Sequence, residues 1–263
     1  MVLSTDIMRK VVRNNQNPTR LRQFMLWFKP SWRMDFEEYI DHYHRLNPKI
    51  RVQLRERSAK GSLSERFQFM ARNYRSIYGP EDNIFDHRGL VEGLSKLGLP
   101  KKAHVVSYGA GSMHHECFLV KEFPQIEKIT GIEPLEEMRQ LTPKTAFNIL
   151  GLKKRSKVKN IRGTFRESPS IIPASVDAVI SNEAFHHVKN PELALHNMVS
   201  KLKPGGGIVL IYRPTYKTKP SSPGELGSIL KRLGVRVISS RSIKRDKVEL
   251  DNNIHLIVGK KEL

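Results

Sequence analysis

Short apolar runs alternate with amphipathic stretches along the chain from Lys102 onward. Five of these runs are predicted to be strands, near residues 103–108, 128–132, 158–162, 176–181 and 207–213. Helical patterns between them predict a parallel sheet with right-handed crossovers, and therefore an α/β fold. After the fifth strand we expect a helix over residues 223–233. Two further strands with a charged turn between them are predicted at 235–240 and 253–259.

The part of the chain before this alternation has a different pattern. Six aromatic residues recur there at helical spacing, which places them on one helical face: Phe24, Phe28, Trp32, Phe36, Tyr39 and Tyr43. Pro30 interrupts the pattern, so two helices are predicted to meet there. Further helices are predicted at 62–78 and 86–97. We divide the chain into a basic, aromatic-rich helical extension, residues 1–61, and a larger domain, residues 62–263.

The first apolar run of the larger domain ends in a Gly-x-Gly turn, with Gly109 and Gly111. Apolar positions 117–120 then predict a helix. Glycines let the backbone approach a ligand closely, and the helix N-terminus offers free N–H groups to it. Glu133, at the end of the second apolar run, is suitably placed to bind the two hydroxyls of a ribose. His114 stands where a dinucleotide-binding turn has its third glycine, so the pattern predicts a nucleoside-containing cofactor without specifying a dinucleotide.

Further motifs follow in a characteristic order. They are the apolar run 176–182, the segment 183–188 with its two histidines, Asn190-Pro191-Glu192, the turn 203–207 and the apolar run 208–212. This order resembles the class I S-adenosylmethionine-dependent methyltransferases, especially the large group typified by the quinone-biosynthesis enzymes. The resemblance covers residues 100–215. It implies a Rossmann-like fold whose seven-stranded, mostly parallel sheet is closed by an antiparallel C-terminal hairpin.

The resemblance implies that S-adenosylmethionine is the cofactor and that its binding residues follow four successive strands. They are Ser107, Tyr108, Gly109, Ala110 and Gly111, then Glu133 and Pro134, then Thr164 and Phe165, and finally Asn182 and Glu183. The glycines would lie under the methionine part, Glu133 would bind the ribose, and Asn182 would face the transferred methyl group. The aromatic helices of the extension resemble the lids that cover small substrates in this family.

Two positions depart from the family pattern. Met113 replaces the third glycine of the loop, and Thr164 stands where the family has an acid near the adenine. The Thr164 hydroxyl can still form a hydrogen bond, and Phe165 can pack on the adenine face.

His186 and His187 follow Asn182 at the carboxyl edge of the sheet, where ligands bind in this kind of fold. One of them is a candidate general base for an acceptor that loses a proton near the time of methyl transfer. The alternative is that both histidines shape the turn. Tyr212, at the end of the fifth strand, is a weaker candidate for the substrate side.

The chain carries 46 lysines and arginines against 26 acids, a formal net charge of +20. Such a field attracts anions, whether nucleic acid, acidic membranes or phosphorylated metabolites. Residues 153–166 contain seven basic side chains and no acid. The single cysteine, Cys117, excludes an internal disulfide and is expected in the core, and a cytoplasmic location is predicted. We predict neither a membrane span nor a metal site.

These observations leave three functions open. The first is methyl transfer to an oxygen, nitrogen or carbon atom of a small, anionic or aromatic metabolite. The second is methylation of RNA at a hydroxyl or ring nitrogen, with the basic patches tracking the phosphate backbone. The third is a binding protein that has the fold without the chemistry. Asn182-Glu183-Ala184-Phe185 is not the Asn-Pro-Pro-Tyr motif that in related families accompanies methylation of adenine amino groups or glutamine amides.

Overall fold

The computed structural model describes residues 80–168, 170–214, 220, 222–243 and 254–263. The strands in these ranges are β1 Ala103–Tyr108, β2 Ile126–Ile132, β3 Val158–Ile161, β4 Val176–Asn182, β5 Leu202–Tyr212, β6 Val235–Ile243 and β7 Ile254–Lys261. The helices are α1 Pro80–Leu97, α2 His114–Glu122, α3 Glu136–Lys154, α4 Pro191–Lys201 and α5 Pro223–Arg232. Short 3₁₀ turns occupy Arg155–Lys157 and Phe185–His187.

Within the described residues, all seven strands form one sheet in the order β3-β2-β1-β4-β5-β7-β6. The first five strands run parallel, while β7 is antiparallel to both β5 and β6. The predicted fold class, including the antiparallel C-terminal hairpin, is therefore confirmed. The chain order reverses at β1, whose two neighbours are β2 and β4, and ligands of open α/β sheets bind at the carboxyl ends of strands beside such a reversal.

Both faces of the sheet are covered, which explains why its strands are continuous apolar runs instead of alternating ones. Successive residues of β1 enter different cores, because strand side chains point alternately to the two faces. Val105 joins the core under α1, α2 and α3, whereas Val106 joins the core under α4 and α5. Cys117 is fully buried in the first of these cores, as predicted.

The two largest differences from the predicted element boundaries are the starts of α1 and β5. Helix α1 begins at Pro80 instead of residue 86, and β5 begins at Leu202 instead of residue 207. The early start of β5 comes from pairing, because Leu202 lies opposite Val176 before the register shifts and Ala178 pairs with Gly207. Gly207 pairs with β4 in this way, whereas Gly205, with a φ of 74°, lies in the irregular part of the strand between the two registers.

The predicted extension 1–61, its aromatic face and the helix predicted at 62–78 lie outside the described residues. The lid role of the extension stays a prediction. No helix in the part of the chain that the structure describes is both long and apolar enough to cross a lipid bilayer.

Two helical glycines allow a matched test of the packing between α1 and the sheet. A Cβ atom on Gly93 of α1 would lie 2.5 Å from Val209 of β5, whereas one on Gly227 of α5 would meet nothing closer than 3.8 Å. We expect Gly93→Ala to lower the free energy of unfolding by about 1–3 kcal/mol through overpacking. Gly227→Ala should raise it by about 0.5–1 kcal/mol through better helix propensity. Chemical denaturation checks both values, and equal effects would contradict the packing described here.

Candidate active site

The loop after β1 turns sharply through three residues in the left-handed region. Gly109 and Gly111 have φ values of 70° and 54°, and Met113 has a φ of 63° just before α2 begins. The non-glycine residue in this conformation costs on the order of 1 kcal/mol. Its fully buried side chain offsets that cost, since burying a methionine side chain is worth about 1.5–3 kcal/mol. The loop therefore keeps the glycine-type backbone at the position where the third glycine is missing.

Glu133 joins this loop to the loop that follows β2. Its carboxylate accepts the Gly111 N–H at 2.9 Å with Oε2 and the Leu135 N–H at 3.0 Å with Oε1. Burial raises the pKa of Glu133, and these two N–H donors oppose part of the shift. Each carboxylate oxygen can accept a second hydrogen bond, so acceptor capacity for two ribose hydroxyls is left.

Asn160, at the end of β3, holds the glycine loop from the other side. Its Nδ2 donates to the Gly111 carbonyl at 2.7 Å and to Thr142 Oγ1 at 3.0 Å. The Gly111 backbone is thus fixed at its N–H by Glu133 and at its carbonyl by Asn160. The sequence analysis missed Asn160, because its partner Gly111 lies 49 residues earlier in the chain and the strand Val158–Ile161 contains another polar residue.

A second buried carboxyl group lies below the loop. Ser107 Oγ donates to Glu116 Oε1 at 2.6 Å, and Glu116 Oε2 is buried without a hydrogen-bond partner. Burial is the main cause that raises the pKa of Glu116 to about 7, and the negative charge of Glu133 adds to it. Ser107 thus contacts α2 through its hydroxyl, and its role in cofactor binding stays a prediction.

Aromatic side chains pack beside the glycine loop on the α4 face. The ring of Phe165 lies 5.5 Å from that of Tyr108 and 5.9 Å from that of Phe185. Asn197 of α4 donates to the Phe165 carbonyl at 3.0 Å, and the Tyr108 hydroxyl lies 2.8 Å from Ser168 Oγ. These contacts anchor the segment after β3 and leave Phe165 half-buried.

The remaining predicted residues of the first three loops are placed as follows. Thr164 is exposed, and its Oγ1 accepts the Arg166 and Glu167 N–H groups, so it caps its own turn. Ala110 donates its N–H to the Ile132 carbonyl at 3.4 Å, while the exposed Pro134 accepts from Arg139. Because the Arg166 and Glu167 N–H groups occupy the acceptor sites of Thr164 Oγ1, the side chain of Thr164 can contact an adenine only by donating its hydroxyl hydrogen.

The loop after β4 contacts the glycine loop directly. A Cβ atom on Gly109 would lie 2.2 Å from Ala184 Cβ, so only glycine fits there. Asn182 Oδ1 is buried and has no hydrogen-bond partner. Glu183 has a φ of 47°, donates its N–H to the Ile211 carbonyl, and forms an ion pair with Arg213 at 3.1 Å.

The two histidines of this loop have different surroundings. His186 is partly buried and its Nδ1 has no hydrogen-bond partner, whereas His187 is exposed. Burial first, and then the positive charge of Arg213, lower the pKa of His186 to about 4, so its imidazole is neutral at pH 7. Tyr212 is enclosed in the core under α4 and α5, and burial raises the pKa of its hydroxyl.

The site therefore consists of a backbone loop between two carboxyl groups, with a half-buried aromatic ring on one side and a free asparagine oxygen on the other. A Cβ atom on Gly111 would meet nothing within 4 Å, so open space lies above the loop. The structure brings Gly109, Gly111, Glu133 and Phe165 together, with Asn182 on the neighbouring loop. It places the hydroxyl of Tyr212 in the core.

The family model described as the methyltransferase domain matches residues 83–245. This match covers more than half of the chain, so the protein belongs to the methyltransferase domain family. The predicted resemblance and the predicted enzyme class are confirmed. A search of curated protein sequences gives no match.

Solved structures with the same fold have different chemistries. A chain of the complex between the Haloferax volcanii Trm112 methyltransferase activator and its methyltransferase has a TM-score of 0.58 and 19% identity, covering 74% of this chain and 96% of that one. Geranyl diphosphate C-methyltransferase from Streptomyces coelicolor A3(2), bound to S-adenosyl-L-homocysteine, has a TM-score of 0.55 and 13% identity. The match covers 66% of this chain and 78% of that one. The [4+2]-cyclase SpnF has a TM-score of 0.57 and 14% identity, and the match covers 69% of this chain and 81% of that one.

The buried Glu116 predicts a measurable dependence of stability on pH. Its pKa in the folded state, about 7, lies above the ordinary value of 4.5, so the protonated form favours folding. This contribution is complete below pH 4.5 and is lost as the pH rises through 7, a loss on the order of 3 kcal/mol. Glu116→Gln should remove this slope between pH 5 and 8 in chemical denaturation.

A second variant tests whether the pH dependence of stability comes from the Glu116 carboxyl group in particular. Ser107→Ala removes the hydroxyl that stabilises the ionised carboxylate, so the midpoint of the stability loss should move to higher pH. Identical pH profiles for the wild type and Glu116→Gln would contradict the assignment.

Proposed function

We propose that the protein transfers the methyl group of S-adenosylmethionine to an oxygen, nitrogen or carbon atom of a small, anionic or aromatic metabolite. The observation that supports this most strongly is the buried Glu133 carboxylate, which accepts the Gly111 N–H at 2.9 Å at the carboxyl edge of the sheet. It combines a ribose acceptor with a backbone loop that a ligand can approach closely.

The residues present fit this cofactor. The open space above Gly111 suits the amino acid part, and Glu133 has free lone pairs for the ribose hydroxyls. Phe165 offers an aromatic face to the adenine, while Asn182 Oδ1 offers an unpaired acceptor. The two buried carboxyl groups, Glu133 and Glu116, also favour a positively charged ligand.

S-adenosylmethionine supplies, when bound, an electrophilic methyl group for an in-line displacement. The chain's residues must then align the acceptor and, for a hydroxyl or an activated carbon, remove its proton. His186 is the candidate for this role because its imidazole, kept neutral by burial and by the charge of Arg213, can accept a proton at pH 7. A pKa of about 4 makes it a weaker base than an ordinary histidine. The Glu183–Arg213 ion pair fixes the loop on which His186 lies.

A small acceptor is supported by the similarity to geranyl diphosphate C-methyltransferase, whose substrate is a small diphosphate. The cyclase SpnF has the same fold, so methyl transfer itself must be measured. The decisive experiment incubates the full chain and methyl-labelled S-adenosylmethionine with a cell extract separated into small molecules and RNA. Label in the small-molecule fraction is expected, and label confined to RNA favours the alternative acceptor. Absence of both label and cofactor binding contradicts methyl transfer.

Glu133→Gln should weaken cofactor binding, whereas the same substitution at the nearby Glu136 should leave cofactor binding unchanged. The amide keeps the size of the side chain but presents a donor to one of the two N–H groups, so that bond is lost. Affinity for S-adenosylhomocysteine should fall by about tenfold or more. Isothermal calorimetry measures it, with circular dichroism to verify folding. The exposed Glu136→Gln serves as the control, and equal affinity in all three proteins would contradict the ribose assignment.

His186→Gln and His187→Gln distinguish a general base from a turn-shaping pair. If His186 removes the acceptor proton, its variant should lose roughly 10²–10⁴-fold in kcat, while His187→Gln stays near the wild type. Both should bind S-adenosylhomocysteine with wild-type affinity. Equal, small losses in the two variants, measured with the acceptor from the labelled fraction, would show that the histidines only shape the turn.

A further inference from the structure

A cleft lies at the outer edge of the sheet, and one of its lining residues, Asn160, also donates to the Gly111 carbonyl of the loop after β1. The cleft is formed by α3, the 3₁₀ turn and β3, and has a volume of about 380 Å³. Strand β3 is the last strand on this side of the sheet. We name this feature the α3–β3 cleft. Its polar lining consists of three cations, two hydroxyls and one amide: Arg139, Arg155, Lys159, Thr142, Ser156 and Asn160.

Among the described residues, two of the three cations of the cleft have no carboxylate partner, and the third, Arg139, interacts electrostatically with the Glu133 carboxylate. Arg155 and Lys159 are exposed and form no ion pair within the described ranges. Arg139 is held in place by main-chain oxygens, because its Nη1 donates at 2.7 Å to the carbonyls of Glu133 and Pro134. The nearest acids on α3, Glu136 and Glu137, lie in its first turn. The lining therefore has three positive charges and no negative one.

The surroundings of the cleft strengthen this charge. Lys153 and Lys154 end α3, and Arg162 follows β3, all of them exposed. Five of the seven basic residues noted between 153 and 166 thus lie in or beside the cleft: Lys153, Lys154, Arg155, Lys159 and Arg162. Asn160 does not oppose an anion, because its Oδ1 faces Gly131 and lies 2.9 Å from the position of a Cβ atom there.

We propose that the α3–β3 cleft binds a phosphate group, carried either by the backbone of RNA or by a small phosphorylated molecule. Arginine and lysine side chains around a concave surface form charge-assisted hydrogen bonds with phosphate oxygens. The hydroxyls of Thr142 and Ser156 add neutral donors. The volume accommodates a phosphate with its attached sugar. The cleft shares Asn160 with the support of the glycine loop. Its cations and hydroxyls are not among the residues proposed to hold S-adenosylmethionine, so phosphate binding here does not require methyl transfer.

The test removes two charges from the cleft and two from elsewhere. The cleft variant combines Arg155→Ala with Lys159→Ala. The control variant combines Lys231→Ala with Arg236→Ala, which removes two exposed charges on α5 and β6, toward the opposite edge of the sheet. The probes are a fluorescent single-stranded 12-nucleotide RNA, followed by anisotropy, and uridine 5′-monophosphate, followed by calorimetry. Both are measured on the full chain without S-adenosylmethionine, after thermal melting has verified folding.

We expect the cleft variant to bind at least one probe about tenfold more weakly than the wild type, and the control variant to change less than about threefold. If the phosphate belongs to RNA, the plot of log affinity against log salt should also become shallower by about 1.4 in the cleft variant. If it belongs to a small molecule, the nucleotide alone shows the selective loss. Equal losses in the two variants, or no binding of either probe by the wild type, would overturn the proposal.

Discussion

The carboxylate of Glu133 is the contact on which the geometry of the site depends. It accepts one N–H from the loop after β1 and one from the loop after β2, and so ties together the ends of neighbouring parallel strands. Parallel strands bring their carboxyl ends to the same edge of the sheet, but they do not by themselves fix the loops that follow. A buried carboxylate with two N–H donors does, since losing either bond leaves an unsatisfied polar group. Asn160 adds the matching contact on the Gly111 carbonyl.

The electrostatics of the molecule have two opposite parts. The whole chain carries a formal charge of +20, whereas the loop after β1 lies beside two buried carboxyl groups, Glu116 and Glu133. Burial raises the pKa of both, and their proximity raises that of Glu116 further. A cationic ligand relieves this cost, which is consistent with the positively charged sulfonium of the proposed methyl donor. Arg155, Lys159 and the other exposed basic residues of the described ranges instead lie at the surface, where water screens them and an anionic partner can reach them.

The fold alone does not determine the acceptor. The same architecture occurs in a geranyl diphosphate C-methyltransferase and in a [4+2]-cyclase at identities of 13% and 14%. In this chain, the loop after β4 presents Asn182 with an unpaired oxygen, and burial, aided by the positive charge of Arg213, keeps His186 neutral. The acceptor must therefore be identified through this loop and not through the sheet.

The order of strands and helices and the position of the glycine turn could be predicted from the sequence, because apolar periodicity and glycine act locally. Glu133 could be predicted too, since an acid directly after the second strand must lie at the ligand-binding edge. The contact of Asn160 and the early start of β5 at Leu202 could not, because each depends on a partner far away in the chain. The burial of Glu116 could not either, although its partner Ser107 is near in the chain, because it follows from the packing of α2 on the sheet. Pairing and burial between distant segments are set only when the sheet assembles, and these contacts decide the charge and rigidity of the site.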